Sequence, residues 1–252
     1  MFHIIFSPTH RFAQLKEKPD WLAPFILALV LPLFIGTLSV IILPRQTLIN
    51  ATENRINRVK GFIENQVETG KMPSDQRDAA IERIEKTAQV ELDLYERASK
   101  INLFFRFLVR SLPATIWSAL QLLIWTTVLN LLLPLLGAGS SFGRLWAITT
   151  NSALVRIPAA VFRVLLILST NKITATTSLL LLAPSAPLYL KGVLACIDIF
   201  TLWELGLTSL GLKVIFNLDL KRTSALVFGL WFIYVLILAG LSTLSGGLAF
   251  PD

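Results

Sequence analysis

Cysteine is nearly missing: Cys196 is the only one in 252 residues. A single thiol excludes a disulfide framework and any zinc or iron–sulfur site built on cysteines. Histidine is as scarce, and both copies, His3 and His10, lie in the first ten residues. No imidazole remains in the body of the chain for a catalytic triad or a metal centre. Charge is the third shortage. Only 15% of residues are charged, 54% are apolar, and the mean hydropathy is +0.66. Soluble domains carry about 25% charged and about 45–50% apolar residues. These shortages exclude a disordered chain, a collagen-like chain and an ordinary soluble globule. No residue set calls for a cofactor or a metal ion, and no catalytic constellation stands out. What the chain has in abundance is long apolar sequence, the mark of a polytopic membrane protein.

Five apolar stretches are candidate spans. Trp21–Leu43, Ser111–Gly137 and Thr223–Phe250 carry no charge. Leu145–Thr170 carries Arg156 and Arg163, and Gly192–Leu212 carries Asp198 and Glu204. A span needs roughly 20 apolar residues at about 1.5 Å each, so all five qualify. Their backbone polar groups have no water to bond, so each is expected to be helical. A further uncharged stretch, Ile173–Leu190, is only 18 residues long and contains Pro184 and Pro187. Two prolines three apart break a helix. The segment is expected to be interfacial or re-entrant; a sixth span stays open.

Residues 44–102 are different material. They hold ten basic and ten acidic side chains, so the whole net charge of +7 resides elsewhere. Ile49, Ile56 and Ile63 recur seven apart with Val59 and Val67 near the same stripe, and Ile81, Ile84, Ala88, Leu92 and Tyr95 continue it beyond Gly70. Gly70 suits a helix stop and Ser74 a helix cap. The pattern predicts an extramembrane hairpin of two antiparallel helices, the second free to run on into the second span. The expected organisation is thus all-α: an amphipathic segment over 1–20, a first span over 21–43, the hairpin over 44–102, and a four-span bundle over 103–252. Its spans lie near 111–137, 145–170, 192–212 and 223–246.

The first twenty residues have no long apolar run ahead of their basic residues, so no secretory signal is expected. Ser7-Pro8 is a helix-start pair. Phe12 and Leu15 fall on one face, with Arg11, Lys16 and Lys18 elsewhere. A short helix lying in the headgroup layer is expected, anchored by Phe12 and Leu15. Asp20 is placed to cap the first span and Trp21 to anchor it at the interface. Short segments on the N-terminal side of the membrane hold more Lys and Arg than those opposite, which favours a cytosolic N-terminus, with the C-terminus and residues 44–102 outside. The charged residues of the hairpin weigh the other way, in a loop close to the length at which the rule weakens.

A bare charge at mid-bilayer costs at least about 2.5–3.5 kcal/mol, so Arg156, Arg163, Asp198 and Glu204 are expected to pair. Depths counted along antiparallel third and fourth spans match Arg156 with Glu204 and Arg163 with Asp198. Asn151, Thr149, Thr150 and Thr201 are available for further hydrogen bonds. Two readings follow: ion pairs that lock helix register, or a polar path for an ion, proton or headgroup in a small transporter or channel subunit. An intramembrane hydrolase ranks last, for want of histidine, a Ser–Lys pair or paired aspartates. Gly137–Gly143 lacks the Gly-Lys-Ser/Thr ending of a phosphate loop and is expected to be a turn. Nucleic-acid binding has no support; the basic excess is juxtamembrane, where anionic lipid headgroups attract it.

Four stretches carry a family likeness. The first is Phe6-Ser7-Pro8 with Phe12-Ala13-Gln14-Leu15 and Lys18-Pro19-Asp20-Trp21-Leu22-Ala23-Pro24-Phe25. The second is Gly137-Ala138-Gly139-Ser140-Ser141-Phe142, and the third Arg156-Ile157-Pro158. The fourth is Asp198-Ile199-Phe200-Thr201-Leu202-Trp203 with Gly206-Leu207 and Gly211-Leu212, then Lys221-Arg222-Thr223-Ser224-Ala225. In this order, across most of the chain outside the hairpin, they resemble the Yip family of Ypt/Rab-interacting membrane proteins, in its bacterial branch. The resemblance implies a five-span bundle with a cytosolic N-terminus and a non-catalytic accessory or scaffold role. Eukaryotic relatives are linked to Rab-type GTPases; with the N-terminal region read as twenty residues and the hairpin as an addition, GTPase binding is not expected here. Some bacterial relatives are associated with ABC-type exporters, so the resemblance implies other membrane proteins, an exporter among them, as partners.

Overall fold

The structure is a computed structural model that describes residues 3–170, 177–182 and 187–244. Among the described residues every regular element is helical. The order is α1 (His3–Phe6), α2 (Pro8–Glu17), α3 (Leu22–Ile42), α4 (Arg45–Glu68), α5 (Ser74–Arg97) and α6 (Lys100–Leu132), which ends in a 3-10 turn, Leu133–Leu136. Next come α7 (Phe142–Ser152) and α8 (Arg156–Thr170), joined by the 3-10 turn Ala153–Val155. A 3-10 turn at Leu179–Leu182 precedes α9 (Leu188–Cys196), α10 (Ile199–Phe216) and α11 (Leu220–Leu244). Five stretches are long and apolar enough to cross a membrane: Leu22–Ile42, Lys100–Leu136, Phe142–Thr170, Ile199–Phe216 and Leu220–Leu241. The all-α, five-span architecture expected from the apolar runs is therefore present.

The span limits differ from expectation in instructive ways. The fourth stretch, expected as one helix over Gly192–Leu212, is cut at Ile197–Asp198, where the backbone is extended. The cause is Asp198, whose carboxylate accepts from the backbone N–H groups of Phe200 and Thr201 at 2.9 and 3.0 Å. An aspartate that caps a new helix competes with the old one. The third span keeps its direction but tightens to 3-10 geometry at Ala153–Val155. Pro158 follows closely and has no N–H to continue the ladder. Of the Ile173–Leu190 segment, residues 171–176 and 183–186 lie outside the described residues. Its described parts are Leu179–Leu182 and the start of α9, neither long enough to span.

The chain divides into two compact units: Met1–Gly36 with Arg110–Arg163 and Thr176–Asp252, and Thr37–Val109 with Val164–Ala175. In the second unit, α4 and α5 lie antiparallel. Arg45 donates to the Glu96 and Ala98 carbonyls, Arg55 pairs with Glu91, Lys60 with Glu85, and Glu64 with Arg77. The partners step up one helix as they step down the other. Each helix has 24 residues and is about 36 Å long. Val40, Leu48, Tyr95 and Leu103 form a buried cluster at its base. Gly70 adopts φ +70° and ends the helix, as a residue without Cβ does most readily. Ser74 is the first residue of α5 and Pro73 holds the cap position, so the expected serine cap is not made. Nor does α5 run on into the second span. Ala98 is extended, and the Ser99 side chain accepts from Asn102 N–H to start α6 afresh.

The first unit has its core around α10. Leu205, Leu207, Leu212 and Ile215 pack with Leu145, Ile148 and Leu154 of the α7 region, with Leu122, Leu129 and Leu133 of the α6 stretch, and with Val227 of α11. Much of the remaining apolar surface is exposed, including Ile116, Trp117, Phe232 and Ile237. A protein surrounded by lipid has no hydrophobic reason to hide it.

Candidate functional site in the helical core

Thr149, Thr150 and Asn151 follow one another on α7, all buried. Each returns a side-chain hydrogen bond to the carbonyl four residues back: Leu145, Trp146 and Ala147. A polar side chain that bonds its own helix can be buried without a stranded donor. Thr149 also meets Thr126 of α6, oxygen to oxygen, at 2.7 Å. Asn151 has its Oδ1 left for another element.

One turn further, Arg156 stands fourteen residues from Phe142 and fourteen from Thr170, at the middle of the third span. Its Nε and Nη2 donate to Glu204 Oε2 and Oε1 at 3.0 and 2.9 Å, a two-pronged pair, and its Nη1 donates to Ser118 Oγ at 2.7 Å. Both partners are largely covered, with side chains 26% and 21% exposed. The guanidinium fork matches a carboxylate in geometry, which makes arginine suited to such a site. The arrangement ties three elements, α6, α8 and α10, at one depth. The pairing inferred from depth is formed, with Ser118 as a member that depth alone did not reveal.

The second expected pair is not formed. Asp198 lies at the head of α10, where its oxygens are taken by Phe200, Thr201 N–H and the Thr201 hydroxyl. It sits at the end of a span, not within one. Arg163 is exposed and makes no ion pair among the described residues. The four charges therefore do not form one cluster: Arg156 and Glu204 come together, Asp198 caps α10, and Arg163 joins neither.

The N-terminal helix is the larger correction. Phe12 and Leu15, expected to dip into the headgroup layer, are both fully buried within the protein. Helix α2 lies against α10 and α7. A Cβ on Gly211 would sit 2.8 Å from Phe12 Cε1 and 2.6 Å from Ile148 Cγ2. The missing side chain is thus the seat for the Phe12 ring. Arg11 donates to Asn151 Oδ1 at 3.2 Å and to Asp20 Oδ2 at 3.1 Å. Asn151 Nδ2 in turn donates to the Asp20 carbonyl at 3.0 Å. Lys16 donates to Asn217 Oδ1 at 3.1 Å, at the left-handed residue that ends α10. Asp20 accordingly serves this clasp, and the cap position of α3 falls to Trp21, because the helix begins at Leu22. Trp21 packs edge-on against Trp146, with ring centroids 6.4 Å apart. An amphipathic face looks the same in sequence whether lipid or protein covers it, and only Gly211 marks the cover as protein.

In the clasp, the pair and the capped α10, every charged group named is neutralised or hydrogen-bonded in place. Among the described residues no group of three or more His, Cys, Asp or Glu could hold a metal ion. No curated protein and no solved structure matches the chain. Its match is to the Yip1 domain, over residues 2–242. That match covers nearly the whole sequence and agrees with the five apolar helices, and the chain is an integral membrane protein that belongs to the Yip1 domain family.

Proposed function

We propose that this chain is a non-catalytic scaffold or accessory protein of a bacterial inner membrane that binds other membrane proteins, an ABC-type exporter among them. The observation that carries this reading is the closed state of Arg156, Glu204 and Ser118. A proton relay or an ion path needs a group that changes partners. Here the mid-span charges are spent on holding three elements together. What the molecule offers outside its spans is the α4–α5 hairpin, two helices of 24 residues dense in both signs of charge. Charged surfaces of this kind give specificity and register at a contact with another protein. The N-terminus is cytosolic in this reading, and the hairpin and the C-terminus lie outside. Lys213, Lys221 and Arg222 then face the cytosolic leaflet with Lys16 and Lys18, where anionic headgroups attract them.

The test replaces Lys60–Arg83 with a short Gly-Ser linker in the full chain and purifies it in mild detergent at native expression. Membrane insertion is expected to survive, and an ABC-type exporter identified by mass spectrometry with the intact chain is expected to be lost. An exporter still recovered in full with the shortened chain, or none with the intact one, overturns the assignment.

A further inference from the structure

Two helices packed side by side bury only the stripe where they touch, and what flanks that stripe stays open unless a third element covers it. In the α4–α5 hairpin one flank widens into a groove of about 240 Å³. Ile56 and Val59 of α4 and Ile84 and Ala88 of α5 form its floor, with Arg55 and Arg83 at its edges. Ile81, Ile84 and Tyr95 occupy the same row of α5, and the short Ala88 among them leaves the room. Ile56, Val59 and Ile84 are each only part-covered. Val90, two turns from Arg83 on the same side of α5, is 71% exposed. Lipid accounts for exposed apolar residues on the spans, but not for an apolar groove between helices this rich in charge. Such a patch marks a contact with another molecule.

The charges are sorted between the two flanks. At about 100° per residue, Arg55, Arg83 and Glu91 fall on the groove side. Glu53, Asp78, Glu82 and Glu85 fall on the far side, beside Lys60. Arg55 is answered by Glu91. Arg83 is not answered by its own helix: the places three and four residues away hold Ala79, Ala80, Lys86 and Thr87. Nor does it join an ion pair among the described residues. It stands exposed at the groove edge, a cation beside an apolar floor.

We propose that this groove seats one helix of a partner protein, an amphipathic helix whose apolar stripe is flanked by carboxylates. The stripe meets Ile56, Val59, Ile84 and Ala88, and a flanking carboxylate meets Arg83. A second copy of the chain is the wrong occupant, because two such grooves face to face bring Arg55 and Arg83 against their like. The inference rests on the reading in which the hairpin is the contact with other membrane proteins, and it adds the chemistry of what the hairpin contacts.

The experiment uses the full chain in phosphatidylcholine nanodiscs, with photo-reactive benzoylphenylalanine in place of Val90. The probe is a synthetic amphipathic peptide of about three heptads, leucine at its core positions and glutamate on both flanks. Its counterpart has lysine for each glutamate. The glutamate peptide is expected to cross-link about fivefold more than the lysine peptide. Arg83→Lys should keep that preference and Arg83→Glu should reverse it. Benzoylphenylalanine in place of Asn57, on the far side, should lose it. Equal yields from the two peptides at position 90 overturn the proposal, as does the same preference at position 57 or a cross-link between two copies of the chain. An exporter lost on replacement of Lys60–Arg83, with no glutamate preference, removes the groove and keeps the scaffold. A glutamate preference with no exporter recovered keeps the groove and removes the exporter.

Discussion

The hairpin and the spanning unit both rely on paired charges, yet the pairs do opposite kinds of work. In the hairpin, Lys60–Glu85, Glu64–Arg77 and Glu82–Lys86 join side chains that are largely open to solvent. Such pairs contribute about 0–1 kcal/mol each, because water screens both charges and the side chains lose freedom in pairing. The hairpin is held chiefly by its apolar stripe, with Ile63 and Ala88 buried along it and Leu48 and Tyr95 at its base. In the spanning unit one pair, Arg156–Glu204, stands at mid-span with its hydrogen bonds satisfied. Removing one member there leaves the other in a medium that cannot solvate it. The same two residue types are thus nearly interchangeable decoration in one place and a fixed joint in the other.

The strongest way to break this comparison is at the joint. Glu204→Leu or Arg156→Leu alone is expected to cost about 3–5 kcal/mol, and the double variant is expected to recover part of the loss. Thermal unfolding in detergent measures the three. Losses that simply add would show that the pair carries no coupling. The same cycle on Arg163→Leu and Asp198→Leu is expected to be additive within about 0.5 kcal/mol, since those residues do not meet.

The N-terminal clasp gives the next largest effect. Gly211→Ala places a methyl group where the Phe12 ring and the Ile148 side chain already are. Overpacking of that kind costs about 1–3 kcal/mol, and with Phe12 kept in place it should make a cysteine at position 15, buried on the same helix, accessible to a thiol reagent from which it is otherwise shielded. Protection unchanged in the alanine variant would mean that α2 is not seated on α10. The smallest effect belongs to the hairpin surface. Arg77→Ala and Lys86→Ala are each expected to change stability by less than about 0.5 kcal/mol, read as amide exchange in α4 and α5. A change as large as that at Glu204 would erase the contrast between the two regions.

The five spans and the Arg156–Glu204 contact were legible because both rest on simple rules. Apolar length decides what crosses a bilayer, and rise per residue decides what can meet at a given depth. Asp198 was misplaced because an aspartate within an apolar run reads as a buried charge when it is counted by hydropathy. Its neighbours Ile199, Phe200 and Thr201 read equally well as the first turn of a capped helix. The clasp was out of reach for a different reason. Arg11 and Asn151 are 140 residues apart, and no periodicity links positions that far apart. Ser118 escaped notice because a serine inside a span usually bonds its own helix; here it accepts from an arginine.

The seat of Phe12 also says something about assembly. The ring belongs to α2 and its place is kept by Gly211, 199 residues later. No contact that remote in sequence forms before the chain between is in position. Phe12 is therefore among the last side chains of this core to settle, and a shielded Phe12 reports that α10 has already been brought home.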